Sequence, residues 1–171
     1  MFSLNKKAGF TLIELLVVVA IIGLLTSLLI VALGASRAQA KKSRTGADLS
    51  RIIEAVVMAQ GESGQSLLKI TGSGCTDCTC RNIGSLINIS SSHNCYLSWK
   101  ASIAKISDAS FFYQDVKNLD RDPWGAPYLL DENETEGGGC SADLLRSAGP
   151  DGLLGTVDDI TRMVPKSGFC P

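Results

Sequence analysis

The chain has 171 residues, with 16 Lys and Arg against 17 Asp and Glu and a formal net charge of −1. That length fits one soluble domain plus whatever a membrane segment adds. A near-neutral balance with no basic stripe excludes the usual nucleic-acid binder, so no nucleic-acid partner is expected.

The first element is an apolar run from Phe10 to Leu33 whose only charge is Glu14. As a helix it would be about 36 Å long, enough to cross a bilayer core of about 30 Å. It is too long for the apolar stretch of a cleaved signal peptide, although Ala38-Gln39-Ala40 would supply a small-residue cut site. Length alone supports a plain signal anchor. The carboxylate does not, because a charge inside a membrane span is costly and usually has a partner and a task.

Lys6-Lys7-Ala8-Gly9-Phe10-Thr11-Leu12-Ile13-Glu14 resembles the processing signature of type IV prepilins and of the pseudopilins of type II secretion systems. The resemblance implies cleavage by a prepilin peptidase between Gly9 and Phe10, methylation of the new Phe10 amine, and Glu14 as the carboxylate that pairs with a terminal amine during assembly. It also implies an inner-membrane protein with its N-terminus in the cytoplasm, handled by an assembly platform and motor ATPase, and later part of a homopolymeric periplasmic or cell-surface filament. Basic residues flank both sides of the run, Lys6 and Lys7 before it and Arg37, Lys41, Lys42 and Arg44 after it, so charge counting alone does not orient it. Many relatives carry a proline near position 31, where this chain has Val31. The expected division is a leader at 1–9, a transmembrane and polymerisation helix at 10–35, and a globular domain at 36–171.

The helix is expected to continue past Leu33. Leu49, Ile52, Ile53, Val56 and Val57 recur at helical spacing, with Gly61 and Gly64 as a stop. Residues 61–95 read as an irregular region rich in Gly and Ser that holds four cysteines. Tyr96, Trp99, Ile103 and Ile106 then predict a short helix with Trp99 facing the core. Asp122-Pro123-Trp124-Gly125-Ala126-Pro127-Tyr128 starts with turn chemistry and leads into a strand at Leu129 and Leu130. Further strands are expected over 143–147 and 159–164, separated by Gly-rich turns. Asp131 to Glu136 reads as a solvated acidic loop. The fold class is therefore α+β, pilin-like, with a long N-terminal helix packed on a small antiparallel sheet.

Three aspartates, Asp151, Asp158 and Asp159, surround the turn after Ser147. Calcium takes hard oxygens from carboxylates and carbonyls, but the spacing is not that of an EF-hand. The Asp-Pro-Trp-Gly-x-Pro-Tyr stretch, followed by Ser-x-Gly-x-Asp-Gly and Asp-Asp-Ile, resembles the C-terminal half of the major pseudopilin. That resemblance implies calcium in this loop, bound by Asp151 and by Asp158 or Asp159, with groups near Ser147 completing the shell.

Six cysteines, Cys75, Cys78, Cys80, Cys95, Cys140 and Cys170, all follow the apolar run, which fits an oxidising compartment. Zinc held by Cys75, Cys78 and Cys80 with His93 or Cys95 is one alternative; disulfides are the favoured one. The pairing expected is Cys140 with Cys170 and two bonds among the other four. His93 is the only histidine and stands in no nucleophile motif, so it reads as a surface loop residue and no enzyme is expected. The function expected is a structural filament subunit; the alternative is a membrane-anchored, cysteine-rich binding module that does not polymerise.

Overall fold

The computed structural model describes residues 9–132 and 142–165, and the side chains of these except at 28–32. Helix α1 runs Leu12–Ser63, followed by a short α2, Leu67–Thr71, a 3₁₀ turn at Thr76–Cys80, and α3, Asn94–Ala109. A second 3₁₀ turn, Val116–Asn118, leads to three strands: β1, Leu129–Asp131; β2, Leu144–Ser147; and β3, Ile160–Met163. They form an antiparallel meander in the order β1-β2-β3, with Leu130 opposite Leu145 and Ser147 opposite Ile160. The α+β class read from the sequence is the one observed.

The chain divides into two units, residues 1–40 and 41–171. In the first, every large apolar side chain described between Phe10 and Leu33 is exposed, from 46 % at Val18 to 82 % at Phe10. Among the described residues no helix is long and apolar enough to cross a membrane.

In the second unit the later part of α1 buries one stripe. Leu49, Ile52, Ala55, Val56 and Ala59 are fully buried there, and Ile53 is partly so. Val57, expected in the stripe, is 45 % exposed. It lies about 100° round the helix from Val56, and the small Ala55 and Ala59 occupy the facing positions instead. Onto this stripe pack Leu67, Trp99, Ile103, Ile106, Val116, Tyr128, Leu130, Leu145 and Val164. The expected helix around Trp99 is α3, longer than its apolar pattern at both ends. The region at 61–95 is not wholly irregular, since α2 closes on Gly72 in a left-handed conformation that donates to the Leu68 carbonyl.

Trp99 and Tyr128 are the two largest fully buried side chains, and they meet edge to face with centroids 6.0 Å apart. Trp99 Nε1 donates to the Leu119 carbonyl at 3.1 Å, so its polar edge is satisfied. A second apolar cluster gathers Cys80, Leu86, Cys95, Ala126, Leu129 and Ala148. The two edges of the sheet are β1, which is buried, and β3, which is mostly exposed and is followed by Pro165.

Replacing Trp99 by Ala should cost about 3–5 kcal/mol of stability, the usual penalty for emptying an aromatic core position. The urea midpoint of the detergent-solubilised protein measures this, and a midpoint unchanged from wild type would show that α3 does not depend on it.

Candidate functional site

Three groups of residues carry the chemistry. At the start of α1, Thr11 and Glu14 bond reciprocally. The Thr11 N–H and hydroxyl donate to Glu14 Oε2 at 2.8 and 2.7 Å, and the Glu14 N–H donates to Thr11 Oγ1 at 3.3 Å. This is a capping box, which satisfies donors that a helix N-terminus leaves unpaired. Its signal, Thr-x-x-Glu, stands in the sequence and was absorbed into the longer family signature. Gly9 and Phe10 precede the helix and are exposed.

The second group is the loop between β2 and β3. Thr156 Oγ1 lies 2.6 Å from Asp158 Oδ1, 3.4 Å from Asp151 Oδ1, 3.4 Å from Asp159 Oδ1 and 3.2 Å from the Leu153 carbonyl. A hydroxyl has one proton to give, so it cannot satisfy four acceptors at once. Backbone amides meet part of the demand: Leu153 N–H donates to Asp151, Asp151 N–H to Asp158, and Gly155 N–H to Asp159. The hydrogen bond from Thr156 holds the Asp158 carboxyl below its usual range. Gly149 has φ 65°, and a Cβ there would collide with the Asp158 carbonyl, so glycine is required for the loop to close.

Ser147 is not in this cluster. Its hydroxyl is buried, donates to Asp122 Oδ2 at 2.6 Å and accepts from the Gly149 N–H. Asp122 also accepts from the N–H groups of Trp124 and Ala126, so one carboxylate ties the Pro-Trp-Gly turn to the end of β2. Burial pushes the Asp122 carboxyl up, and these hydrogen bonds oppose the rise.

The third group lies in the cysteine-rich segment. Cys75 pairs with Cys78 and Cys80 with Cys95, so none of the four sulfurs is a thiolate available to zinc. Cys75, Asp77 and Cys78 are the one group of His, Cys, Asp or Glu among the described residues whose ligand atoms lie within 4.8 Å of one another; the disulfide occupies its two sulfurs. Cys140 and Cys170 lie outside the described residues. On the chain-entropy model the short ring stabilises by about 2 kcal/mol and the longer by about 3. His93 is not a free loop residue: its Nδ1 accepts the Cys95 N–H and caps α3.

Between the first two cysteines lie the best-held residues of the segment. The Thr76 N–H and hydroxyl donate to the two oxygens of Glu132, each at 2.7 Å, and the Thr76 carbonyl accepts from Ser98. Ser102 Oγ lies 2.8 Å from the Thr76 hydroxyl and donates to it, since that proton is already given to Glu132. Asp77 accepts from Arg81 at 2.9 Å and from Arg146 of β2 at 2.6 Å, and both arginines also reach Asp131 of β1. Burial, and then the nearby Asp131 charge, push the Asp77 carboxyl up against the pull of the arginines. Burial likewise raises Glu132, opposed by its bonds to Thr76.

The expectation of a solvated acidic loop at Asp131 to Glu136 is therefore corrected at its start. Glu132 is fully buried and Asp131 nearly so; positions 133–136 lie outside the described residues. Partners 56 residues away in sequence hold Glu132, which no local pattern announces.

The comparisons with known proteins agree with both ends of the chain. Residues 4–30 match the prokaryotic N-terminal methylation motif. The chain is 32 % identical to the type II secretion system core protein G of Escherichia coli over 94 % of each chain. The chain belongs to this family. It is also 29 % identical to core protein G of Klebsiella michiganensis, over 91 % of this chain and 92 % of that one, and 27 % identical to that of Aeromonas hydrophila over the same shares. No solved structure matches.

A carboxyl that is pushed up when folded takes its proton more readily there than in the unfolded chain. Its contribution is fully present below the unfolded value and is lost as pH climbs through the folded one. Glu132→Gln, which does not titrate, should flatten the fall in melting temperature as pH rises above about 4.5. A slope identical to wild type would exclude Glu132 as its source.

Proposed function

We propose that the chain is a structural, non-catalytic subunit of a type II secretion pseudopilus, a homopolymer built through its N-terminal helix. The observation that carries this reading is the run of exposed apolar side chains from Phe10 to Leu25, with Leu33 beyond it, in a chain whose relatives are named as secretion core proteins. Such a surface needs covering, first by lipid and then by neighbouring copies. On this reading the prepilin waits in the inner membrane with Lys6 and Lys7 in the cytoplasm. A prepilin peptidase removes residues 1–9 and Phe10 is methylated. An assembly platform and motor ATPase then move the subunit into a periplasmic filament.

Glu14 has the role of assembly carboxylate. In the precursor its partner is Thr11 of its own chain; in the filament it would pair with a Phe10 amine. A buried ion pair of this kind contributes register more surely than net stability. Glu14→Ala should remain in the membrane fraction while filament yield, measured by shearing and immunoblotting, falls to roughly a tenth or less. Wild-type yield would remove this role from Glu14.

We also propose calcium in the β2–β3 loop. Support comes from donor chemistry: three carboxylates, a carbonyl and a hydroxyl gathered at Thr156, all hard oxygens. Asp151, Asp158 and Asp159 would hold the ion, whose charge would offset theirs; the Ser147 hydroxyl is committed to Asp122. Calcium should raise the melting temperature by about 5 °C or more over chelator-treated protein, and Asp159→Ala should abolish the rise. An unchanged melting temperature in wild type would remove the claim.

A further inference from the structure

The two disulfides differ in access and in ring size. Cys80–Cys95 spans 15 residues and both partners are buried in an apolar cluster. Cys75–Cys78 spans three residues, with Cys78 exposed and Cys75 partly so. Exchange needs a thiolate to reach one sulfur, so access decides which bond reacts. The exposed bond also closes the smaller ring and constrains the chain less.

Opening it need not unfold the segment. Thr76 and Asp77, between the two cysteines, are anchored independently of the bond, by Glu132, Ser98 and Ser102 on one side and by Arg81 and Arg146 on the other. Cys80 is held a few residues on by Cys95. The opened form also has a partner waiting. Cys75 Sγ lies 3.2 Å from Asp77 Oδ1, a contact that a Cys75 thiol would convert into an S–H donor to a carboxylate.

We propose that Cys75–Cys78 is a thiol–disulfide exchange site, worked on the folded protein by an extracytoplasmic protein dithiol, with Cys78 as the sulfur attacked. A thiolate of the dithiol bonds to Cys78 Sγ as the Cys75–Cys78 bond breaks, and Cys75 leaves as a thiolate that takes up a proton beside Asp77. The second thiol of the partner, as thiolate, attacks its own sulfur in the mixed disulfide. That step releases the Cys78 thiolate and leaves the partner oxidised to its disulfide. Two electrons pass from the dithiol to Cys75 and Cys78, and the reverse sequence closes the bond again.

The test uses the full chain in detergent, native, with dithiothreitol as the dithiol probe. Aliquots are quenched with iodoacetamide and alkylation is located by fragment mass spectra. Cys75 and Cys78 should be labelled at least tenfold faster than Cys80 and Cys95, with the circular dichroism unchanged. Glutathione, which lacks a second thiol, should be trapped on Cys78, and Cys75→Ser/Cys78→Ser should keep the wild-type spectrum. Reduction of both pairs together, earlier reduction of Cys80–Cys95, or resistance of Cys75–Cys78 until the protein unfolds would each overturn the proposal. Glutathione trapped on Cys75 would overturn the choice of sulfur.

Discussion

The second unit, residues 41–171, depends on one buried phenol. Tyr128 stands just before β1, with its ring fully buried against Trp99 of α3 and its hydroxyl donating to Asp48 of α1 at 2.8 Å. Burial, and then that bond to the carboxylate, push the hydroxyl well above its ordinary pKa, so it stays a donor. One side chain thus fixes the entry of the sheet against two helices, combining a large apolar surface with a directional bond. The Pro-Trp-Gly turn before it is set by Asp122, and Gly125 is favoured there by its φ of 96°, in the left-handed region.

What could be read from the sequence was whatever has a period or a local chemistry. The apolar run, the stripe through Leu49, Ile52 and Val56, the Trp99 helix and the three-strand meander all follow from spacing and turn residues. The errors share a cause. Val57 satisfied the spacing but not the actual centre of the stripe, which two alanines help to set. Glu132 sat at the head of an acidic run, and composition alone places such runs in water. Only the bonds from Thr76, far away in sequence, make its burial tolerable. Thr156 was overlooked between the aspartates because a hydroxyl carries no formal charge to draw notice.

The cysteine-rich segment is more than an insertion clipped to the surface. Leu86 N–H donates to the Gly152 carbonyl, Ser85 Oγ donates to the Asp151 carbonyl, and Leu86 fills the cluster around Cys80–Cys95. The segment therefore braces the acidic loop from one side while Arg146 and Glu132 tie it to the strands. Two backbone carbonyls of the loop are committed to that bracing, so the loop's shape and the segment's are set together.

A protein built to polymerise also has to avoid polymerising in the wrong way. The open edge of a sheet is a standing invitation to add strands from another copy. Here one edge is β3, four residues long, with Pro165, which has no N–H to offer, just beyond its end, and the other is β1, three residues long and buried. A foreign strand would find a short ladder on β3 and no N–H at Pro165. The edge strand thus guards against amyloid-like stacking wherever subunits are crowded, and leaves the N-terminal helix as the surface free to associate.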